Sequence, residues 1–474
     1  MISTMLTQAD KNNKKFNNTF RVNAKRVLKK VLVALLVTAF WIGVWQLVYM
    51  LVAKDIVIPS PLNTVLRLGE LLKTPEFWKI TASSVVRILL GYTLGVVLGV
   101  VLAVATSMSK LLYAIFKPAI SIARATPVAS LTLIIIMWVT NWQVPLAIVG
   151  LMVFPIIWGN TYEGIKETDK KLLEMSRTFR VGTLSRLLYV YIPSVYPYFI
   201  TGVSSALGLA WKSGIAAEIL GTTQNSVGQQ LNDAKVYLDS EGKFAWTAVV
   251  VILSMILEFA VVNFLKKSTL RIRLKAKSQK DSVNTEVTDE VTLRAEDVSK
   301  TFGEKEVLKG VSLSLRKGYV IGLRGVSGAG KTTLLRILSG LTRADSGTVE
   351  SAGGINYLYQ ENRLLPWLTA KENILYVNRS ADTDYLLSLV SLQGEEDKYP
   401  SELSGGMKRR LAIARALAGK GETLFLDEPF TGLDKELLQN VSENVFRESS
   451  HKSVLLVTHN EEELQKYANS IVDI

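Results

Sequence analysis

The distribution of apolar residues divides the chain into two parts of different character. In the first part, long apolar runs recur and carry few charged side chains. The first of them, residues 31–53, contains 23 residues and no charged side chain. A helix of that length spans the ~30 Å hydrocarbon core of a bilayer. The pattern therefore predicts a membrane-spanning segment and excludes a purely soluble protein.

Six apolar runs of this kind predict six membrane-spanning helices. They cover approximately residues 31–53, 85–107, 119–140, 144–161, 195–220 and 244–265. An even number of crossings returns the chain to the side on which it began. Pro118 and Pro127 lie at the third run, and proline interrupts helical hydrogen bonding, so we expect a kink or a partial span there.

The second part of the chain has the pattern of a soluble α/β domain. Short β-rich runs, such as residues 319–325, 423–429 and 453–459, alternate with helical stretches. This alternation predicts a largely parallel sheet. We therefore expect an all-α membrane protein fused to an α/β domain. The predicted divisions are a basic cytoplasmic N-terminal segment at 1–30, a transmembrane domain at 31–270, a linker at 271–290 and the α/β domain at 291–474.

Charge is distributed as unevenly as hydropathy. The net charge is +13, but residues 1–280 carry 32 Lys and Arg against 13 Asp and Glu, whereas the remainder carries 23 against 29. The basic clusters at 11–30 and 266–280 lie directly beside apolar runs. This placement predicts that both ends of the membrane part face the cytoplasm. It disfavours nucleic-acid binding, which requires a basic face on a folded domain.

Two scarce residue types narrow the possible chemistry. The chain has no cysteine, which excludes disulfides, thiolate metal sites and a cysteine nucleophile. Its two histidines, His451 and His459, are too few for a histidine-rich metal site. The first apolar run is too long for the core of a cleavable signal peptide, so none is expected.

A glycine-rich loop between a strand and a helix predicts phosphate binding. Residues 325–332 have the Walker A pattern, in which glycines let backbone N–H groups turn towards phosphate oxygens at a helix N-terminus. Lys331 should reach the β- and γ-phosphates, and Thr332 should bind Mg²⁺. The expected ATP-binding residues of this segment are Gly325, Ser327, Gly328, Gly330, Lys331, Thr332 and Thr333.

A second apolar strand ends in two carboxylates, Asp427 and Glu428. The carboxyl end of a strand beside a phosphate loop is the place where Mg²⁺ is held, so Asp427 is the expected metal ligand. Glu428 is then placed to orient or deprotonate the attacking water.

The segment 403–407, LSGGM, begins a helical stretch at which Ser404 can cap the N-terminus. With this segment the chain resembles the ATP-binding cassette (ABC) family. The resemblance implies that Ser404, Gly405 and Gly406 close over the γ-phosphate of ATP held by the opposite subunit. The backbone N–H groups of a helix start suit an anion in this way.

The same resemblance implies roles for single residues elsewhere. Gln360 matches the Q-loop, which contributes to Mg²⁺ binding and catalysis, His459 matches the switch histidine, and residues 433–434 match the D-loop. Phe302 matches the aromatic residue that stacks on adenine. The alternatives are core packing for Phe302 and a structural core histidine for His459. The chain departs from the family at Asn460, where aspartate is usual.

Residues 174–193 resemble the coupling loop of importer permeases. Glu174 and Pro193 match that pattern in position, and Arg180 replaces its usual glycine. We expect Gly182, two residues later, to supply the turn. The alternative is an ordinary amphipathic pair of cytoplasmic helices.

Further segments resemble the nitrate, sulfonate and taurine import group: residues 58–61, 84–87 and 216–218 before the linker, and 363–369 after Gln360. The resemblance implies an ATP-hydrolysing half-transporter of the cell membrane. It would form a homodimer with two composite ATP sites, use ATP and Mg²⁺, and receive a small anionic solute such as a sulfonate or nitrate from an extracytoplasmic solute-binding protein. The alternatives are a six-helix ABC exporter and a non-transporting transmembrane ATPase.

Four charged residues fall within or near the predicted spans: Arg87, Lys212, Glu218 and Glu258. A charge at the centre of a membrane helix costs ~2.5–3.5 kcal/mol unless it is paired or reaches the interface. We expect Arg87 and Glu258 to be structural partners. Lys212 either attracts an anionic substrate or extends towards the outer interface.

Overall fold

The computed structural model describes residues 32–33, 35–267, 274, 290–326 and 328–474. The basic segment 1–30, almost all of the predicted linker and the predicted site residue Ser327 lie outside the described residues. The described chain forms two compact units. The helical unit contains the described residues up to Tyr162 and Phe199–Lys267. The second unit contains Glu163–Tyr198 and the described residues from 274 onwards.

Most helices of the helical unit follow the predicted apolar runs, whereas those at Pro61–Leu72 and Val227–Val236 lie between them. Their bounds are α1 Leu35–Val52, α2 Pro61–Leu72, α3 Pro75–Met108, α4 Lys110–Ala125, α5 Val128–Ile135, α6 Val144–Lys166, α9 Ile192–Leu220, α10 Val227–Val236 and α11 Ser240–Lys267. Four of them, α1, α3, α6 and α11, are long and apolar enough to cross a membrane, and the bent pair of α4 and α5 adds a fifth if it counts as one span.

The helix α9 covers the predicted run at 195–220 but is not among these candidates, so the prediction of six spans is not met by length and composition. Its sequence is interrupted by glycine, serine, Lys212 and Glu218. Much of α9, including Glu218, is buried within the protein. A helix that is covered by protein does not need a continuously apolar surface.

The predicted kink in the third apolar run lies at Pro127 and not at Pro118. Between α4 and α5 the chain bends by 105°. Pro118 lies inside α4, whereas Pro127 immediately precedes α5. Thr126, before that proline, is extended at φ −78 and ψ 128, because proline disfavours the helical conformation of the preceding residue.

Glycines on one face of α3 allow it to approach α6 closely. A Cβ added at Gly91 would lie 2.6 Å from the carbonyl oxygen of Leu146, and one added at Gly95 would lie 2.8 Å from Cβ of Val153. Gly99 faces Ile157 in the same way, at 2.7 Å. Small residues at this spacing bring membrane helices together through backbone contact and packing.

A buried ion pair joins α3 to α9. Arg87 donates to Glu218 over 2.6 Å, and both side chains are at most 1% exposed. Glu218 also accepts hydrogen bonds from the Ser84 hydroxyl, at 2.9 Å, and from the N–H of Gly228, at 3.1 Å. Arg87 is therefore a structural partner, as predicted. Glu258 is exposed and forms no ion pair within the described part of the chain, so its structural role stays a prediction.

The second unit contains an antiparallel sheet and a parallel sheet. The antiparallel sheet has the order β2-β1-β4, from β1 Val291–Phe302, β2 Lys305–Arg316 and β4 Ser346–Ser351. The parallel sheet has the order β5-β6-β7-β3-β8, from β3 Val320–Arg324, β5 Ile355–Leu358, β6 Thr423–Asp427, β7 Ser453–Val457 and β8 Ser470–Asp473. The predicted parallel sheet is thus confirmed. Because β3, β7 and β6 are neighbours, their carboxyl ends meet at one edge.

Helices surround the parallel sheet and include the segment predicted as the coupling loop. Their bounds are α7 Lys170–Thr178, α8 Thr183–Arg186, the π-helical turn Leu187–Tyr191, α12 Lys331–Leu338, α13 Ala370–Val377, α14 Thr383–Leu389, the 3₁₀ turn Pro400–Glu402, α15 Gly405–Ala418, α16 Lys435–Glu448 and α17 Glu461–Tyr467.

Candidate nucleotide site

The glycine-rich loop connects β3 to α12 and has the backbone conformation that glycine permits. Gly328 and Gly330 have φ values of +83° and +100°, in the left-handed region. A Cβ at Gly330 would also lie 2.7 Å from the carbonyl oxygen of Val307. Lys331 is buried, and its Nζ donates to the carbonyl oxygens of Gly325, at 2.6 Å, and Val326, at 3.1 Å. The ammonium group thus lies against the phosphate-binding loop.

A cavity of about 240 Å³ brings most of the predicted catalytic and phosphate-binding residues together. It lies at the edge where β3, β6 and β7 end. Among its lining residues are Gly328, Gly330, Lys331, Thr332, Thr333, Gln360, Asp427, Glu428 and His459. Residues from four separate sequence segments therefore meet at one place.

Asp427 is the more buried of the two carboxylates at the end of β6. Burial and the neighbouring charge of Glu428 raise the pKa of Asp427 to about 6, although Arg409 and the hydroxyl of Tyr357, 3.4 Å away, oppose this rise. The raised pKa means that the surrounding protein groups do not fully compensate the negative charge of the ionised carboxylate. A bound cation would stabilise its ionised form.

Glu428 is held in an uncommon backbone conformation beside His459. Its φ is +50°, in the left-handed region, and its N–H donates to the carbonyl oxygen of Val457 at 2.8 Å. Its Oε1 lies 3.5 Å from Nε2 of His459 and has no hydrogen-bond partner among the described residues. This oxygen is also buried, so its acceptor capacity is left for a water molecule that enters the cavity.

Exposure distinguishes between the alternatives for two of the predicted residues. The side chain of His459 is 59% exposed, and Phe302 is 53% exposed. Neither residue is therefore part of a core, which excludes the packing alternative for both. Phe302 does not line the cavity, and Nζ of Lys300 lies 5.5 Å from the centre of its ring.

The residues of the LSGGM segment lie outside the cavity. Ser404 caps α15 by accepting a hydrogen bond from the N–H of Met407 at 3.3 Å, and both Ser404 and Gly405 are exposed. Gly406 also is not among the lining residues. In one copy of the chain, the start of α15 is thus a separate surface.

A buried arginine on α15, which the sequence did not indicate as a site residue, connects the segments of the site. Arg409 donates to the carbonyl oxygens of Asp427 and Glu428, both at 2.6 Å, and of Pro429, at 3.0 Å. It also donates to the carbonyl oxygen of Gln360 at 3.2 Å. Burial lowers the pKa of Arg409 to about 10. Its position two residues after LSGGM is the only signal in the sequence that could have indicated this role.

The predicted coupling residue Glu174 lies on α7 and is held by two arginines. Arg336 of α12 donates to both carboxylate oxygens, at 2.7 and 3.0 Å, and Arg363 donates at 3.0 Å. Hydrogen bonds from Arg336 and then from Arg363 hold the pKa of Glu174 below its ordinary value, although burial opposes the shift. One carboxylate thereby joins α7 to the helix after the phosphate loop and to the segment after Gln360.

The turn after α7 is not made by Gly182, so that prediction is wrong. Gly182 has φ −59° and caps α8, whereas Arg180 adopts the left-handed conformation with φ +52°. The arginine therefore takes the conformation of the glycine that it replaces, and it donates to the carbonyl oxygen of Gly353 at 2.9 Å. Pro193 is the second residue of α9.

Comparison with known families and proteins assigns both parts of the chain. Residues 95–270 match the family described as the binding-protein-dependent transport system inner membrane component. Residues 308–431 match the family described as the ABC transporter.

Among similar proteins, the aliphatic sulfonates import ATP-binding protein SsuB 1 of Pseudomonas aeruginosa is 40% identical over 201 residues, which are 37% of this chain and 79% of that protein. SsuB of Bacillus subtilis is 41% identical over 182 residues, or 35% of this chain and 71% of that protein. The probable sulfate/thiosulfate import ATP-binding protein CysA of Chlorella vulgaris is 35% identical over 205 residues, or 38% and 86%. This chain is therefore a membrane protein that belongs to the ABC transporter family and joins a binding-protein-dependent permease to an ATPase that couples ATP hydrolysis to transport.

Proposed function

We propose that the chain is one half of an importer for a small anion of the sulfonate or sulfate class. The printed names of its relatives support the class of solute. The proposed domains are the cytoplasmic segment 1–30, the permease 31–270, the linker 271–290 and the ATPase 291–474. Both termini and the ATPase face the cytoplasm, as the basic clusters beside the apolar runs indicate.

The observation that carries the proposed homodimer is the separation, on one chain, of the phosphate-loop cavity from the exposed LSGGM helix start. The cavity around Lys331 is one surface, and the exposed helix start at Ser404 is the other. A homodimer in which each Ser404 faces the partner's phosphate loop completes two equivalent ATP sites. The backbone N–H groups of Ser404, Gly405 and Gly406 then stabilise the γ-phosphate, and Phe302 stacks on the adenine.

The residues around Asp427 fit Mg²⁺. Magnesium binds through one or two carboxylates together with phosphate oxygens and water, so it needs no dense acidic cluster, and the described residues contain none. Thr332, Gln360 and Asp427 line the same cavity and would hold the ion. When bound, Mg²⁺ neutralises charge on the phosphates.

Within this site, Glu428 orients the water and accepts its proton, since its Oε1 lacks a donor. His459, beside Glu428, hydrogen-bonds the γ-phosphate, and Lys331 moves from the loop carbonyls to the phosphates. The contacts of Gln360, which lines the cavity, depend on whether nucleotide is bound. Through Arg363 the segment after Gln360 contacts Glu174 on α7, so closure of the ATPase dimer acts on α7. Gly182, at the start of α8, and Pro193, at the start of α9, belong to the same coupling segment.

Stimulation of ATPase activity by a solute-binding protein tests the importer function. The full-length chain in nanodiscs should hydrolyse ATP faster when an extracytoplasmic binding protein loaded with ethanesulfonate is added. Apolar drug-like compounds should have no such effect. The opposite pattern would identify an exporter.

Substitution of Glu428 tests the assignment of the base. Glu428→Gln should lower ATP turnover by ~10²–10⁴-fold while ATP still binds and dimerises the chain. Glu422→Gln, outside the cavity lining, is the matched control. Undiminished hydrolysis by Glu428→Gln would overturn the assignment.

A further inference from the structure

The exposed face of α9 differs in chemistry from the exposed face of α3. On α9 between Phe199 and Leu220, the exposed positions that follow one helical face are Thr201, Ser205 and Lys212, with half-buried Gly208 between them. Their spacing of four, three and four residues places them in one row. Between residues 86 and 104 of α3 the exposed positions are mainly aliphatic, with Thr93 as the exception: Val86, Leu90, Leu94, Val97, Leu98, Val101 and Val104. Such a face suits lipid, whereas the α9 face offers hydroxyl, backbone and ammonium groups.

Lys212 is a cation without a counter-charge inside this row. No carboxylate pairs with it within the part of the chain that the structure describes. The neighbouring side chain of Trp211 is buried and donates to the carbonyl oxygen of Val250 at 2.9 Å, which fixes the rotation of α9 and keeps Lys212 exposed. A cation at such a position costs ~2.5–3.5 kcal/mol in hydrocarbon. Water or an anion on this face removes that cost.

Extension of Lys212 to the membrane surface does not explain its position well. The residue lies eight positions before the end of α9 at Leu220, or about 12 Å along the axis. Side chains on a helix lean towards its N-terminus, which for Lys212 is the more distant end. The ammonium group is therefore directed towards the middle of the span and away from the nearer interface.

We propose that the face formed by Thr201, Ser205, Gly208 and Lys212 lines the solute path, and that Lys212 binds the anionic group of the solute. This inference rests on the proposed function and assigns the residue that selects for anions. A small oxyanion such as a sulfonate accepts a hydrogen bond from the Ser205 hydroxyl and is neutralised by the ammonium group of Lys212. At Gly208 a side chain would meet no atom within 4 Å, so the centre of the row is open in a single copy of the chain.

Because the chain contains no cysteine, single cysteines can be placed on this face without a background reaction. Ser205→Cys and Gly208→Cys in the full-length protein in nanodiscs are treated with sulfonatoethyl methanethiosulfonate, an anionic thiol reagent. Both should react at least about tenfold faster than Gly43→Cys, because thiolate formation requires water. Gly43, on α1, is the matched control, since a side chain there also meets no atom within 4 Å. Each variant is first shown to bind ATP.

The role of Lys212 is measured as a preference for anionic over cationic reagent. In the Gly208→Cys protein, the ratio of the rates for sulfonatoethyl and trimethylammonioethyl methanethiosulfonate should fall about tenfold on Lys212→Gln. Lys212→Arg should preserve the ratio, and so should Lys235→Gln, a substitution on α10 outside the row. Ethanesulfonate should slow the labelling of Gly208→Cys only when residue 212 is basic.

Three results would overturn the inference. Unreactive cysteines at 205 and 208 would show a face covered by lipid or by a second copy. An unchanged reagent ratio in Lys212→Gln would show that the ammonium group does not act on this face. Labelling that ethanesulfonate never slows would exclude sulfonate-type anions. Failure of the importer function appears separately, as a lack of binding-protein stimulation with the labelling pattern intact.

Discussion

The two units each place a carboxylate against arginine, but with different surroundings. In the helical unit, Glu218 is completely buried and is bound by Arg87, a serine hydroxyl and a backbone N–H. In the second unit, the side chain of Glu174 is 23% exposed and is bound by Arg336 and Arg363. The first carboxylate has no access to water as a substitute partner, whereas the second has.

The difference in exposure distinguishes a permanent structural contact from one that can break and form again. A buried ion pair is costly to form and far costlier to leave half-formed. A partly exposed pair can exchange its partners for water at little cost. The Glu218 contact therefore suits a permanent connection between α3, α9 and α10, and the Glu174 contact suits a joint that changes during the transport cycle.

The largest effect is expected for Glu218→Ala. Removal of the carboxylate leaves the charge of Arg87 buried and unpaired, which costs about 3–5 kcal/mol. Unfolding of the full-length chain in mixed detergent micelles measures the loss. Glu76→Ala, an exposed carboxylate on α3, is the control. Equal loss in both variants would contradict the distinction between the two carboxylates.

A smaller effect is expected for Glu174→Gln, at about 1–2 kcal/mol, because solvent partly replaces the lost ion pairs. Transport should fall more than ATP hydrolysis, since the variant weakens the joint and leaves the ATP cavity intact. The ratio of solute moved to ATP hydrolysed measures this uncoupling. Proportional loss of both activities would remove Glu174 from the coupling role.

The contribution of Glu174 should also depend on pH. Its pKa in the folded chain lies below its ordinary value of 4.5. Its stabilisation is therefore complete above that value and is lost as the pH falls through the lower, folded-state pKa. Wild type and Glu174→Gln should converge in stability in that acidic range and differ most at neutral pH. A constant difference down to pH 2 would contradict the ion-pair explanation.

The smallest effect is expected for Lys171→Ala, one turn from Glu174. Lys171 pairs with Glu361 at 2.7 Å, but the two side chains are 54% and 57% exposed. Exposed pairs contribute about 0–1 kcal/mol. The unfolding free energy should change by less than that of Glu174→Gln, and added salt should abolish the change. A loss as large as that of Glu174→Gln would show that burial is not what separates these contacts.

The sequence predicted those features that depend on local pattern. The parallel sheet, the phosphate loop and the gathering of Gln360, Asp427 and His459 follow from strand, glycine and motif order. The count of six spans is not met, because much of α9 is buried within the protein and its own hydropathy is therefore a poor guide.

Contacts that depend on three-dimensional neighbours could not be predicted. Arg409 resembles the adjacent basic residues in the sequence, and only folding brings it to the carbonyl groups of Asp427 and Glu428. The conformation of Arg180 was missed for a related reason, because its surroundings impose a backbone geometry that arginine rarely adopts alone.

The glycine row of α3 limits how this part of the protein can evolve. With α6 backbone or side-chain atoms within 2.6–2.8 Å of any added Cβ, even alanine at Gly91, Gly95 or Gly99 requires the two helices to separate. A compensating change on α6 can shorten a side chain but cannot remove a carbonyl oxygen such as that of Leu146. Substitutions should therefore accumulate along α6 while the three glycines of α3 stay fixed, and a saturation mutagenesis library would display that asymmetry directly.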